Sequence, residues 1–152
     1  MLNKDYSDML YALNDAKVEY LVIGAFALAA HGNTRATIDI DIWVRPTEEN
    51  AHRVWKALEA FGAPRSKISV EDFLKSDTVF QIGVAPRRID LLTSISGVEF
   101  EVAWAQRKIT RLDDQIEVAV LGREQLLINK LASGRPKDLL DAAWLQAQAE
   151  NQ

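Results

Sequence analysis

The sequence predicts a single α/β domain, a mixed β-sheet flanked by helices and closed by two C-terminal helices. Three observations predict it. Short apolar, β-rich runs alternate along the chain with stretches of helical periodicity. Some of these runs follow one another directly and others are separated by a helix, so adjacent and crossover connections are mixed. At 152 residues the chain has the size of one ordinary domain, and its core needs no disulfide or metal staple.

The elements follow in order. Tyr6, Met9, Leu10 and Leu13 stand at helical spacing, which predicts an amphipathic helix over 4–16. "EYLVIG" is a continuous apolar run ending in glycine, the pattern of a buried strand with a tight exit. "AFALAAHG" reads as a short helix with Gly32 at its C-terminal end. "TIDIDIWV" is a second strand halted by Pro46, after which Thr47, Glu49 and Asn50 open a helix running to Gly62. "APRSKISVEDF" is a polar loop with a little structure. "TVFQIGV" and "RRIDLLT", separated by "AP", form a hairpin-like pair. "GVEFEVAWAQRK" suits a helix or an edge strand, and a helix from Ala103 onward is expected. "QIEVAVLG" is a further strand, and "REQLLINKLAS" and "PKDLLDAAWLQAQA" close the chain as helices, Pro136 near the start of the second. There is no internal repeat, low-complexity tract or linker.

Composition narrows the chemistry. The chain has no cysteine, which removes disulfides, thiol catalysis and Cys-based zinc sites. The N-terminus "MLNKDYSDML" lacks an apolar signal segment, and no apolar run approaches the roughly 20 residues that span a bilayer. A soluble cytoplasmic protein with no membrane partner is the expectation. With 18 basic against 22 acidic residues, charge alone does not favour binding of long nucleic acid. "PRR" at 86–88 and "QRKITR" at 106–111 are solvated surface or local phosphate contacts.

The stretch "RATIDIDIWV" carries the sharpest signal. Along a strand side chains alternate, so Arg35, Thr37, Asp39, Asp41 and Trp43 share one face. Ile38, Ile40, Ile42 and Val44 take the other, which is the core face. A polar face turned to water explains one aspartate more easily than two, because strands disfavour Asp. Two carboxylates roughly 7 Å apart on one face also repel. A divalent cation between them removes the repulsion, and oxygen ligands suit Mg²⁺ or Mn²⁺. A calcium loop counted from Asp39 fails, with Val44 where glycine is needed and Asn50 where a bidentate Glu belongs. Zinc fails too, since the only histidines are His31 and His52 and there is no thiolate. No GxxxxGK or GxGxxG phosphate loop occurs. In "RRIDLLT", Asp90 interrupts an apolar run; it completes a three-carboxylate cluster if its strand lies beside the second strand, or else stands at a strand end or pairs with Arg35 or Arg88.

Taken together, "VIGAFALAAHGNTRATIDIDIWV" and the later "RIDLL" resemble the nucleotidyltransferases of the DNA polymerase β-like superfamily. The shared pattern is an apolar strand, a glycine turn with a short helix, an Asp-x-Asp strand and a later strand with a single Asp. His-Gly at the helix end, the Arg-x-Thr-x-Asp-x-Asp run and the closing "KLASGRPKDLLDAAWL" are similar to the small bacterial group related to abortive-infection and toxin–antitoxin nucleotidyltransferases. The resemblance runs from about Glu19 to Leu145. It implies one nucleotidyltransferase-like domain over 1–152, with a core over about 19–121 and closing helices over about 123–148.

The resemblance implies roles as well. Asp39, Asp41 and Asp90 are the expected catalytic and metal-binding residues, holding Mg²⁺ (or Mn²⁺) for two-metal displacement at the α-phosphate of an NTP. Gly24 and Ala25 are expected to bring backbone N–H groups to the phosphates. Arg35, Thr37 and Lys130 complete the expected nucleotide-binding set, Arg35 and Lys130 neutralising the leaving group. Ala25 departs from the family's Gly or Ser, which keeps the N–H and removes a serine hydroxyl. The acceptor hydroxyl belongs to a protein, a tRNA end or a small molecule, and a homodimer or partner protein would grip it. The other reading is a non-catalytic module binding ATP or another nucleotide, or a partner, as one component of a toxin–antitoxin pair. His31 is expected to pack or cap rather than move protons, Trp43 to pack or to stack on a base, and Asp138 and Asp141 to pair with Arg135 and Lys137 or to line the site mouth.

Overall fold

The computed structural model describes residues 2–33, 39–84 and 87–150. Helix α1 (Lys4–Asp15) starts at Asn3, whose side chain accepts from the Asp5 N–H at 2.8 Å, and it buries Tyr6, Met9, Leu10 and Leu13. Strand β1 (Tyr20–Ile23) is buried throughout. It runs directly into helix α2 (Gly24–Ala30). Strand β2 (Ile40–Val44) is followed by helix α3 (Glu48–Phe61), capped by the Thr47 hydroxyl at one end and by left-handed Gly62 at the other. The polar loop expected after it carries one 3-10 turn at Val70–Leu74. Then come β3 (Val79–Val84), β4 (Arg87–Leu92), helix α4 (Phe100–Ala105), β5 (Lys108–Leu112), β6 (Ile116–Val120), α5 (Arg123–Ser133) and α6 (Pro136–Glu150).

The strands form one six-stranded mixed sheet in the order β3-β4-β2-β1-β6-β5. β2 is antiparallel to β1 and parallel to β4. β6 runs parallel to β1, and β3–β4 and β5–β6 are antiparallel pairs. This is the α/β architecture expected of the sequence, helices included. α1 packs on α3, α2 on β1 and β2, and α5 on α6. Asn50 on α3 is 1% exposed and fully used: its amide donates to the Glu19 and Arg45 carbonyls at 3.0 Å, and its oxygen accepts from the Glu19 N–H at 2.7 Å. It thereby ties the start of β1 to the end of β2. Among the described residues no helix is long and apolar enough to cross a membrane.

Two local readings need correction. The helix expected from Ala103 onward begins at Phe100 and ends at Ala105, because Phe100 and Ala103 are its buried anchors. The basic stretch after it is not helical: Lys108–Leu112 is the edge strand β5. No residue of β5 is buried, so it carries no apolar signature, and its partner β6 supplies the pairing. Asp113 and Asp114 take the left-handed turn between them, at φ 55° and 58°.

Candidate active site

The end of β1, the start of α2, the neighbouring strands β2 and β4 and the facing ends of α5 and α6 enclose a cleft of about 780 Å³. Pairing puts the carboxylates there. Because β2 and β4 are parallel neighbours in register, Asp41 stands opposite Asp90, and register partners project to the same face. Asp39 enters the same cleft just before β2 begins. The condition set on Asp90 is met: its strand does lie beside the Asp-x-Asp strand.

Gly24 completes the floor. Its φ is +68°, which favours glycine, and a Cβ there would lie 2.5 Å from Asp41 Oδ2 and push that carboxylate aside. Burial, followed by the negative charges of Asp90 and Asp39, pushes the Asp41 carboxyl up from 3.8 to about 6, against the opposing charge of Arg88.

Arg88 bridges two of these carboxylates. Its Nε and Nη2 donate to the two oxygens of Asp90 at 2.8 and 3.1 Å, a bidentate pair. Nη2 also lies 3.4 Å from Asp39 Oδ2, while the Arg88 backbone N–H donates to Asp39 Oδ1 at 3.3 Å. The reading of Asp90 as an ion-pair partner of Arg88 is thus also met. Both signals were visible in "RRID", where residues 88 and 90 share a strand face.

On the opposite wall, Lys130 of α5 is buried between two carboxylates of α6, its Nζ 3.4 Å from Asp138 and 3.1 Å from Asp141. Arg135 adds a 2.7 Å bond to Asp138. Burial alone would raise the Asp138 carboxyl, but the Arg135 hydrogen bond and the Lys130 and Arg135 charges outweigh it and hold the pKa below its ordinary value. The partner expected in Lys137 is therefore Lys130 instead, across the helix pair.

Gly24, Ala25, Asp39, Asp41, Asp90 and Lys130 all line the one cleft. Arg35 and Thr37 lie outside the described residues. His31 caps α2, its Nε2 2.9 Å from the Leu121 carbonyl, and burial lowers its pKa. Trp43 is not available to a base: it is 2% exposed and packs edge-on against Phe100 at 4.9 Å. The acidic face of β2 is open only at its beginning, and α4 covers it by Trp43. Besides Arg88, the residues that sequence reasoning did not assign to the cleft include Ser94, Ser96 and Asn129, which carry no motif of their own.

The three carboxylates have the donor chemistry of a hard divalent cation. Their arrangement is not that of a closed metal site, for among the described residues no three Asp, Glu or His side chains are gathered so as to hold an ion.

No curated protein matches this chain significantly. A crystal structure from Thermotoga maritima, whose own assignment as a nucleotidyltransferase is provisional, superposes with a TM-score of 0.58 over 100% of this chain and 97% of that one. At 16% identity that likeness speaks for the fold. Residues 2–149 match the family described as nucleotidyltransferase of unknown function (DUF6036), and the chain belongs to that family.

Proposed function

We propose that the cleft transfers a nucleoside monophosphate from an NTP to a hydroxyl acceptor and releases pyrophosphate. The observation that carries this reading is the register of β2 on β4, which sets Asp41 beside Asp90 with Asp39 in the same cleft, opposite a glycine whose backbone is left-handed. Asp39, Asp41 and Asp90 would hold Mg²⁺ or Mn²⁺, which supplies charge neutralisation on the triphosphate and activation of the attacking oxygen. The chain's own residues do the rest. The backbone at Gly24 and Ala25 approaches the phosphates. Asp90 takes the proton as the acceptor oxygen bonds to the α-phosphorus and the bond to the bridging oxygen breaks. Lys130 stands on the wall of α5 and α6 with its ammonium held between Asp138 and Asp141. Within this reading the chain stands with the small bacterial group related to abortive-infection and toxin–antitoxin nucleotidyltransferases.

A second reading is a nucleotide- or partner-binding module without turnover. Arg88, which engages two of the three carboxylates, favours it. Transfer of label separates the two. The protein is incubated with Mg²⁺, total RNA, protein or aminoglycoside as acceptor, and NTPs labelled at the α- or the γ-phosphate. Label reaching an acceptor from the α-position alone supports transfer. NTP binding with no label transferred to any acceptor favours the module.

A further inference from the structure

Two of the three carboxylates on the sheet wall of the cleft face Arg88 with both oxygens. Both oxygens of Asp90 accept from the Arg88 guanidinium, at 2.8 and 3.1 Å. Asp39 receives the Arg88 backbone N–H on one oxygen at 3.3 Å and faces Nη2 with the other at 3.4 Å. One residue therefore engages Asp39 and Asp90 together and stands between them. Asp41 alone is left to the floor of the cleft, against Gly24. Arg88 thus fills the space between Asp39 and Asp90, and among the described residues no three carboxylates are gathered so as to hold an ion. Asp90 is 7% exposed, and without a nearby positive charge it would sit desolvated beside Asp41.

We propose that Arg88 is the resident cation of this cleft: its guanidinium takes the place of a divalent metal on Asp39 and Asp90, and the metal binds only by displacing it. The inference rests on the metal-dependent reading given above and adds a competitor to it. The exchange is feasible in geometry, because the Arg88 side chain is 30% exposed and lines the open cleft, so it can swing outward without unpacking the core. The bidentate bond it gives up is charge-assisted, which makes the competition strong enough to set the metal concentration at which the cleft becomes competent.

The test titrates Mn²⁺ alone, by calorimetry, into the wild type, Arg88→Met, Arg88→Lys and the double variant Asp39→Asn/Asp41→Asn, with circular dichroism confirming the fold of each. Arg88→Met is expected to bind Mn²⁺ about tenfold or more tightly than the wild type, the worth of one bond to a charged group. Arg88→Lys keeps the charge and loses the fork, so its affinity falls between. Equal or weaker Mn²⁺ binding by folded Arg88→Met, with binding lost in the Asp39→Asn/Asp41→Asn variant, overturns the displacement and leaves the metal site standing. No Mn²⁺ binding by the wild type or Arg88→Met overturns both. A measurement on the wild type does not depend on any variant folding. NMR follows the exchange with water of the Arg88 Nε–H as Mg²⁺ is added. Faster exchange at saturation is expected, and a resonance that does not move while Mg²⁺ binds overturns the proposal.

Discussion

Asp41→Asn is predicted to make the protein more stable while disabling the cleft. In the folded chain the Asp41 carboxyl is displaced from 3.8 to about 6, first by burial and then by Asp90 and Asp39. At about 1.4 kcal/mol per pH unit, the ionised form then costs the fold roughly 3 kcal/mol. The sign follows from the direction. A carboxyl raised in the folded state favours folding most when protonated, below about pH 4, and that advantage is lost as pH rises through about 6. Asparagine has nearly the same shape and no charge. At pH 8 and without metal, the variant should be more stable by about 2–3 kcal/mol, which for a chain of this size raises Tm by roughly 4–12 °C. At pH 4 the two proteins should melt together. Thermal unfolding followed by circular dichroism between pH 4 and 8, in the presence of a chelator, reads both. A variant no more stable than wild type at pH 8, or a gain unchanged between pH 4 and 8, would refute the claim that Asp41 is held ionised at a cost.

Three other substitutions probe the frame around the site. Gly24→Ala sets a Cβ 2.5 Å from Asp41 Oδ2 at φ +68°; it should cost about 1–2 kcal/mol in backbone strain and abolish nucleotide binding measured by calorimetry. Lys130→Ala withdraws from Asp138 and Asp141 the ammonium they share, and denaturant unfolding should show a loss of about 3–5 kcal/mol. Asn50→Ala leaves the Glu19 N–H and the Glu19 and Arg45 carbonyls without their buried partner, so stability should fall by about 3 kcal/mol while nucleotide affinity stays near wild type, since Asn50 does not line the cleft.

What the sequence disclosed depended on whether a signal was local. Alternation within "IDIDIWV" was enough to place Asp39 and Asp41 on one face, and the apolar run broken by Asp90 was enough to suspect a third carboxylate. Their meeting required the parallel pairing of β2 with β4, two strands separated by α3 and β3, and no local pattern specifies that neighbour. Trp43 shows the limit of alternation, because a strand face that is open at Asp41 is covered by α4 two residues later. Strand β5 was invisible because an edge strand with an exposed basic face has no burial to write into its composition. Lys130 was expected to face the nucleotide, and only the packing of α5 on α6 reveals that it is buried between two carboxylates. Arg88 was within reach, two residues from Asp90 on the same face, but its grip on Asp39 crosses from one strand to the next.

The central claim is that Asp39 and Asp41 make nucleotide binding depend on metal. It is tested most directly by titrating ATP, GTP, CTP and UTP calorimetrically into the wild type and into Asp39→Asn/Asp41→Asn, each with and without Mg²⁺. The account predicts binding of at least one NTP by the wild type that requires Mg²⁺, and its loss in the folded double variant. A wild type that binds no NTP, or a double variant that binds as tightly as the wild type, would contradict it.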